Sequence, residues 1–472
     1  MKVINPATGA LVTNVLDDTT ETIAEKVAAA RAAQPAWAAR PIGERIEILR
    51  AFRGWVVVRH DELAATMTAE TGKPITQSHN ELTGLLPRID FFLDQAERTL
   101  ADEVVFDDRD ADIREVIAHE PLGVIANISA WNYPYFVGSN VFVPALLAGN
   151  AVIYKPSEFA TLTGLAMASM LGDAGVPIDV FAVVAGDGSV GSDLLSHRFD
   201  GVFFTGSYAT GRRIAEAVAP TLTRVQLELG GKDPVYVADD VDIAAAAEGL
   251  ADGAFYNNGQ SCCAVERIYV HADIHDAFVE QFVATVEGFV LGDPTDPATY
   301  IGPLTRPTHV GVLEAQVADA VAQGAVVRTG GHRVASATGA TSATGGAVES
   351  DEPGAWFAPT VLTGVTSTMA VMRDESFGPI IGIQAVADDA EATDLMNDTE
   401  YGLTAGVYTV DESRARAVLS QVRAGSAYWN CCDRVSPRLP WSGRGQSGIG
   451  STLSTYGIQT FVQPKAWHLQ QP

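Results

Sequence analysis

An α/β fold built on parallel sheets is what this sequence predicts, and three observations predict it. Short β-branched runs alternate with segments of helical period along most of the 472 residues. The runs are apolar at nearly every position, as strands covered on both faces are. Each is bounded by Gly, Pro or Asp, where a chain turns readily.

The first hundred residues read as mainly helical, because apolar side chains return every three or four positions over residues 22–37, 42–71 and 84–100. The charged stretch 107–112 then leads into 113–119, whose partial alternation predicts an exposed strand open to pairing with another element or subunit. Buried strands are predicted at 151–154, 180–184, 201–204 and 235–237, with crossover helices between them. The small-residue stretch 336–346 can bury little apolar area, so a surface loop is expected there.

Composition excludes several classes. With 58 acidic against 31 basic residues the formal charge is −27, which repels phosphates and anionic membranes, so no nucleic-acid partner is expected. The most apolar stretch, 141–154, is interrupted by Pro144, Gly149 and Asn150 and is shorter than the roughly 20 residues a membrane-spanning helix requires. Residues 1–9 lack the apolar run of a signal peptide, so the mature chain is expected to start at Met1. The four cysteines form two adjacent pairs, Cys262-Cys263 and Cys431-Cys432. Neighbouring cysteines rarely bridge, so free thiols and a reducing, cytoplasmic setting are the simpler expectation.

The richest chemical signal is a pair. Cys262, a thiol that looks buried, lies in Gly259-Gln260-Ser261-Cys262, and Glu228 opens Glu228-Leu229-Gly230-Gly231-Lys232. A thiol and a carboxylate held by glycines can form an acyl thioester and hydrolyse it. A free thiol is otherwise most often a small core residue, which is the reading taken for Cys431 and Cys432; Cys263 either packs or lines a pocket. His271 and His275, four apart, could ligate a metal, but they read as a strand end entering a turn, and no metal is expected. Histidine-activated cysteine hydrolysis is disfavoured because no His motif stands near the Cys pattern.

Several turns could receive phosphates. Residues Gly186 to Gly191 match G-x-G-x-x-G formally, but the match lies deep in the chain and Asp200 fits poorly as its acidic partner, leaving pyrophosphate binding and an ordinary turn both open. The stretch from Phe204 through Gly206 and Ser207 to Gly211 leaves a strand and enters a helix, where free amides could hold a phosphate. Lys155-Pro156-Ser157-Glu158 ends another strand, as a ligand site or as a solvated loop.

Six motifs occur in one order: Trp131-Asn132-Tyr133-Pro134, Lys155 to Glu158, Phe204 to Ser207, Glu228 to Lys232, Gly259 to Cys262 and Glu375 to Pro379. With them the chain resembles the aldehyde dehydrogenase superfamily of the hydrolytic type, from Asn5 to Gly457. The resemblance implies a Rossmann-type cofactor-binding unit at 1–103 and 121–230, an α/β catalytic unit at 231–446, and a small bridging β element at 104–120 and 447–472 used in a homodimer or homotetramer. It also implies NAD(P)-dependent oxidation of an aldehyde to an acid.

By that resemblance Cys262 is the nucleophile, Glu228 the base that activates water, and Asn132 with the Cys262 N–H the oxyanion donors. Lys155 and Glu158 fall on the adenine ribose, Ser207 on the pyrophosphate, and Glu375 and Phe377 at the nicotinamide ribose. Trp131, Ser157, Gly188, Gly191, Phe204, Gly206 and Leu229 complete the implied cofactor contacts. Glu158 would repel a 2′-phosphate, so NAD is expected over NADP. The implied pocket comprises Tyr133, Phe136, Asn140, Ser261, Cys263, Asp433 and Val435, a set suited to a small or polar aldehyde. Arg434 could meet a substrate carboxylate or pair with Asp433.

Two departures stand out. Many hydrolytic members carry Lys where this chain has Val141, and Glu where it has Thr452. Both ends of a proton path are thus missing, so Glu228 is expected to pass its proton through water or backbone groups. Transfer of the acyl group to coenzyme A, and a catalytically idle relative, are the alternatives; the presence of Glu228 opposes the first, and the retention of Asn132, Cys262, Glu228 and Glu375 the second.

Overall fold

The computed structural model describes residues 1–108, 110, 112–334 and 355–470. The stretch 336–346 lies outside the described residues. Helices α1 (Thr20–Ala38), α2 (Ile42–Val58), α3 (His60–Thr71) and α4 (Ile75–Leu100) form the N-terminal layer. The expected helix over 42–71 is two helices, because Arg59 leaves helical geometry at φ −100°, ψ 15°. The expected helix over 84–100 starts nine residues earlier, at Ile75, behind Pro74. Gln77, Ser78 and Glu81 in that first part are buried, so its polar sequence packs inward and hides the helix from an apolar count.

Strands Val124–Ile128, Ala151–Lys155, Phe181–Val183, Gly201–Thr205 and Arg224–Glu228 make a parallel sheet in the spatial order Arg224, Gly201, Val124, Ala151, Phe181 by first residue. Their residues are almost all buried, because the crossing helices α5 (Pro134–Leu147), α6 (Thr161–Asp173), α7 (Gly188–Leu195) and α8 (Tyr208–Val218) cover the faces. Strand order reverses between Val124–Ile128 and Gly201–Thr205, and such a switch point opens a crevice at the carboxyl ends of the strands. Trp131 and Ser207 follow those two ends.

A second, seven-stranded sheet runs Val326–Thr329, Thr360–Thr363, Ile380–Val386, Val265–His271, Asp233–Val237, Thr404–Tyr408, Ser426–Trp429, parallel except at its first member. Helix α9 (Ile243–Phe255) crosses one face, with Ala246, Leu250 and Phe255 in the core. The two sheets meet end to end: Leu229 to Lys232 joins the carboxyl end of one to the amino end of the other.

The exposed strand expected at 113–119 is Ile113–Pro121, central in a three-stranded antiparallel sheet between Glu103–Asp108 and Val462–Gln470. Val104, Val105, Phe106 and Trp467 of that sheet are each at least 43% exposed. The segment 447–472 does not act as one piece. Gly448–Ile449 pairs with Arg224–Glu228, and Leu453, Ile458 and Phe461 enter the core of the first sheet, leaving Val462–Gln470 for the small one. No helix among the described residues is long and apolar enough to cross a membrane.

Candidate active site

Three neighbouring parallel strands bring the site together. Asp233–Val237, Val265–His271 and Ile380–Val386 lie side by side, so the loops entering their amino ends converge, and those loops carry Gly230-Gly231, Cys262 and Glu375. A Cβ on Gly231 would stand 2.9 Å from the Cys262 carbonyl oxygen, and one on Gly230 would collide with the Glu375 carboxylate. Glycine is therefore what lets the three loops touch.

The Cys262 loop is wound tightly. Asn257 and Asn258 are left-handed at φ 53° and 58°, and Gly259 follows at φ 68°. Asn tolerates that region because its short amide bonds locally; here Asn257 Nδ2 donates to the carbonyls of Asn132 and Gln260, and Asn258 Nδ2 to those of Gly302 and Pro303. A Cβ on Gly259 would come 2.3 Å from the Gly378 carbonyl oxygen. We expect Gly259→Ala to cost about 1–3 kcal/mol for the strained backbone, and more for the collision; an unchanged urea midpoint would contradict this packing. Against the expectation of a buried thiol, Cys262 is half-buried while Cys263 beside it is enclosed.

Asn132 is held from the other side. Helix α5 begins at Pro134 without a cap of its own, and Glu81 of α4 supplies one, accepting from Tyr135 N at 2.9 Å and Phe136 N at 3.3 Å. Lys73 pairs with that same carboxylate and lies 3.9 Å from the Tyr133 ring centre. Asn132, 5% exposed, donates through Nδ2 to Gln260 O at 3.1 Å, which places its amide against the Cys262 loop.

Glu228 ends its strand wholly enclosed, and burial raises its pKa. Thr452 Oγ1 donates to one of its carboxylate oxygens and Thr205 Oγ1 to the other at 3.3 Å, both opposing that rise. Thr452, which stands where many hydrolytic members carry Glu, thus meets the Glu228 carboxylate directly through its hydroxyl. Val141 is a core residue of α5, 2% exposed.

At the switch-point crevice, Trp131 packs edge-on against Phe377 and Phe159. Ser207 caps α8 through its hydroxyl, leaving a neutral helix terminus beside Gly206. At α7 the cap is the carboxylate of Asp187, accepting from Ser189 N, so the end that bears Gly188 already carries an anion. Gly191 lies against the Lys155 stem. Lys155, its pKa lowered by burial, donates to Gly186 O and is surrounded by the charges of Glu158, Asp187 and Asp17. Ser157 donates to Glu158 at 3.2 Å. Phe204 and Leu229 are buried beneath Gly206 and Gly211. Glu375 accepts from Gly231 N at 3.1 Å, and burial first, then the charge of Glu266, pushes its pKa up to about 8. This set of a neutral helix end, a buried cation and carboxylates that could accept from hydroxyls fits a dinucleotide.

Of the residues expected to line a substrate pocket, Tyr133 stacks on Phe136 at 5.8 Å, Asn140, Ser261 and Cys263 are buried, and Val435 packs against the same core as Phe136. Cys263 donates to Asp433 Oδ1 at 2.9 Å. Arg434 points to solvent and forms no ion pair with Asp433 among the described residues, so that expectation is corrected. His271 and His275 do not converge either: His271 turns toward Asp273 and Asp239, His275 toward Asp276. Sequence reasoning missed Asn257, the Glu81 cap, the Lys232–Glu266 pair and Arg88. Only Lys232 had a signal, in the Gly-Gly-Lys run.

Fold and site together define an oxidoreductase of the NAD(P)-linked α/β class, with a cysteine between two sheets. The family model described as the aldehyde dehydrogenase family matches residues 1–467, and the chain belongs to that family. It is 38% identical to the 3,6-anhydro-alpha-L-galactose dehydrogenase of Streptomyces coelicolor, covering 100% of this chain and 93% of that one. It superimposes on an NAD-dependent aldehyde dehydrogenase from Sinorhizobium meliloti with TM-score 0.93, 32% identity and coverage of 100% and 92%. An NADP-dependent enzyme from E. coli matches with TM-score 0.92, 32% identity and coverage of 100% and 94%. The protein is an NAD(P)-dependent aldehyde dehydrogenase.

Proposed function

We propose that this chain oxidises an aldehyde to a free carboxylic acid with NAD, Cys262 acting as nucleophile and Glu228 as the hydrolytic base. The observation that carries the reading is the meeting of three segments at the Cys262 loop: Asn132 Nδ2 donates to Gln260 O, and Gly231, three residues beyond Glu228, packs against the Cys262 carbonyl. Cys262 Sγ, as thiolate, bonds to the aldehyde carbon, and the carbonyl electron pair moves onto oxygen. Asn132 Nδ2 and the Cys262 N–H stabilise that oxyanion, each such donor contributing about 2.7–4 kcal/mol. Bound NAD supplies the hydride acceptor, which leaves the substrate carbon as a Cys262 thioester. Glu228 then takes a proton from water as the water oxygen attacks that carbon, the C–S bond breaks, and the acid leaves with the thiol restored.

Glu158, Lys155 and Ser157 are assigned to the adenine ribose, Ser207, Gly206, Phe204 and Leu229 to the pyrophosphate side, and Trp131, Glu375 and Phe377 to the nicotinamide side. Gly188 and Gly191 are assigned to the wall beside Lys155. The units at 1–103 with 121–230 and at 231–446 take cofactor and thiol respectively, and the exposed apolar strand row at 104–106 supports a homodimer or homotetramer. The acidic surroundings of Lys155 support NAD over NADP, since a 2′-phosphate would add like charge beside Glu158 and Asp187. We expect kcat/KM to favour NAD by about tenfold or more, the factor that about 1.4 kcal/mol of repulsion gives. An aldehyde panel read by absorbance of the reduced cofactor, with each cofactor and with Cys262→Ala, tests both assignments. Equal efficiency with NADP would refute the first, and full turnover by the alanine variant the second.

A further inference from the structure

Arg88 on α4 is 6% exposed, yet its guanidinium makes one weak hydrogen bond, from Nη1 to Asn140 Oδ1 at 3.4 Å. Its Nε and Nη2 donate to nothing among the described residues. A buried guanidinium normally has its donors occupied, because an unpaired buried charge is costly. Arg88 instead lies 4.0 Å over the Phe136 ring, which is stacked in turn on Tyr133. Phe136 can sit there because position 84 is glycine; a Cβ would stand 2.9 Å from the ring. The neighbouring cation is not spare in this way, since Lys73 is bound to Glu81, which also caps α5.

Asp433 is the matching acceptor. It sits at φ 48°, in the left-handed region that Asp, like Asn, enters more readily than other residues with a Cβ. One of its oxygens takes the Cys263 thiol, and the other accepts from nothing among the described residues. Burial lowers the Arg88 pKa, and the charges that oppose this are Glu81 first, then Cys263, Glu228 and Asp433. A donor fork and a carboxylate oxygen, both incompletely used, thus stand against two of the predicted pocket residues, Arg88 over Phe136 and Asp433 at the Cys263 thiol next to Cys262.

We infer that Arg88 and Asp433 form a hydroxyl-binding subsite, and that the aldehyde oxidised here is uncharged and carries hydroxyl groups beyond its carbonyl. This rests on the aldehyde oxidation proposed above. A hydroxyl both donates and accepts, so it satisfies Asp433 and Arg88 together. A substrate carboxylate would suit Arg88 and be repelled by Asp433, a quaternary ammonium the reverse, and an alkyl chain would leave both charged groups without partners.

The test compares glyceraldehyde with propanal, its unhydroxylated three-carbon counterpart, alongside succinic semialdehyde and betaine aldehyde. Enzyme saturated with NAD is used, as wild type, Arg88→Met and Asp433→Asn. The wild type is expected to prefer glyceraldehyde over the other three in kcat/KM. In each variant the glyceraldehyde-to-propanal ratio should fall about tenfold to a hundredfold, the loss of one charge-assisted hydrogen bond, mainly through KM. Asp433→Asn lies on a separate loop and carries the test if Arg88→Met folds poorly. An unchanged ratio in both variants overturns the inference while leaving aldehyde oxidation intact. So does a wild-type preference for the semialdehyde that Arg88→Met abolishes. Protection of Cys262 from iodoacetamide by glyceraldehyde against propanal reads the pocket without oxidation. Arg88-dependent protection in an enzyme that oxidises none of the four would sustain the subsite and sink the oxidation reading, and protection indifferent to both residues would sink the subsite.

Discussion

Glu228→Gln is expected to release one equivalent of reduced cofactor per active site and then nearly stop, with steady-state turnover down about 10²–10⁴-fold, the range of a general base. The reason is that in the proposed mechanism thiol attack does not use this carboxylate, whereas hydrolysis of the Cys262 thioester does. Gln keeps the volume, and the hydroxyls of Thr452 and Thr205 can reorient to meet an amide. The defect should therefore be chemical and not a folding loss. Rapid-mixing absorbance distinguishes the cases: a vanished burst would mean Glu228 is needed to form the thioester, and unchanged turnover would remove it from the mechanism.

The pH behaviour follows from the same burial. Glu228 works as a base only when ionised, and burial raises its pKa. Steady-state hydrolysis should thus rise with pH through a value above the ordinary carboxylate range. Stability runs the opposite way, because a carboxyl with a raised native pKa favours folding below its unfolded pKa and loses that contribution as pH climbs through the native one. Thr452 sets where the rise falls. Its hydroxyl favours the charged carboxylate, so Thr452→Val should move the activity limb to higher pH. Thr452→Glu with Val141→Lys would place a second carboxyl against Glu228 and should change the hydrolysis rate as well.

The parts legible in the sequence were those fixed by local chemistry. Cys262 and Glu375 stand in glycine-flanked loops entering strands and Glu228 at a strand end shortly before Gly230, and both patterns are readable from neighbours alone. The buried strands were readable because residues such as Val152, Ile153, Phe203 and Val235 are apolar on both faces. Arg88 was not readable: on an amphipathic helix an arginine looks solvated, and only the fold reveals that this one faces Phe136. The start of α4 was hidden because Gln77, Ser78 and Glu81 bury polar groups against distant partners such as Tyr300 O and Tyr135 N. Thr452 was read as a loss because its meeting with Glu228, 224 positions away, exists only once Gly448–Ile449 pairs with the strand that Glu228 ends.

Lys232→Met should be the most destabilising single change near the site, by about 3–5 kcal/mol, the cost of leaving one member of a buried ion pair alone. Lys232 Nζ lies 2.6 Å from Glu266 Oε2 and 3.0 Å from Ser376 Oγ, with both charged side chains at most 6% exposed. Glu266 also accepts from Ser376 N at 2.8 Å and Phe377 N at 3.0 Å, and Phe377 is held at φ 47°. The pair therefore pins the turn that presents Glu375 and Phe377, and Lys232→Met should raise the KM for NAD in whatever fraction stays folded. Removing both charges with Lys232→Met/Glu266→Gln should restore part of the stability, since the uncompensated carboxylate is gone. The KM defect should persist, because Gln offers one acceptor oxygen where the carboxylate served two backbone amides. Urea midpoints and NAD titrations on the four members of this cycle decide it: additive losses would mean the two charges act independently, and an unaltered KM in the double variant would release the Glu375 turn from their control.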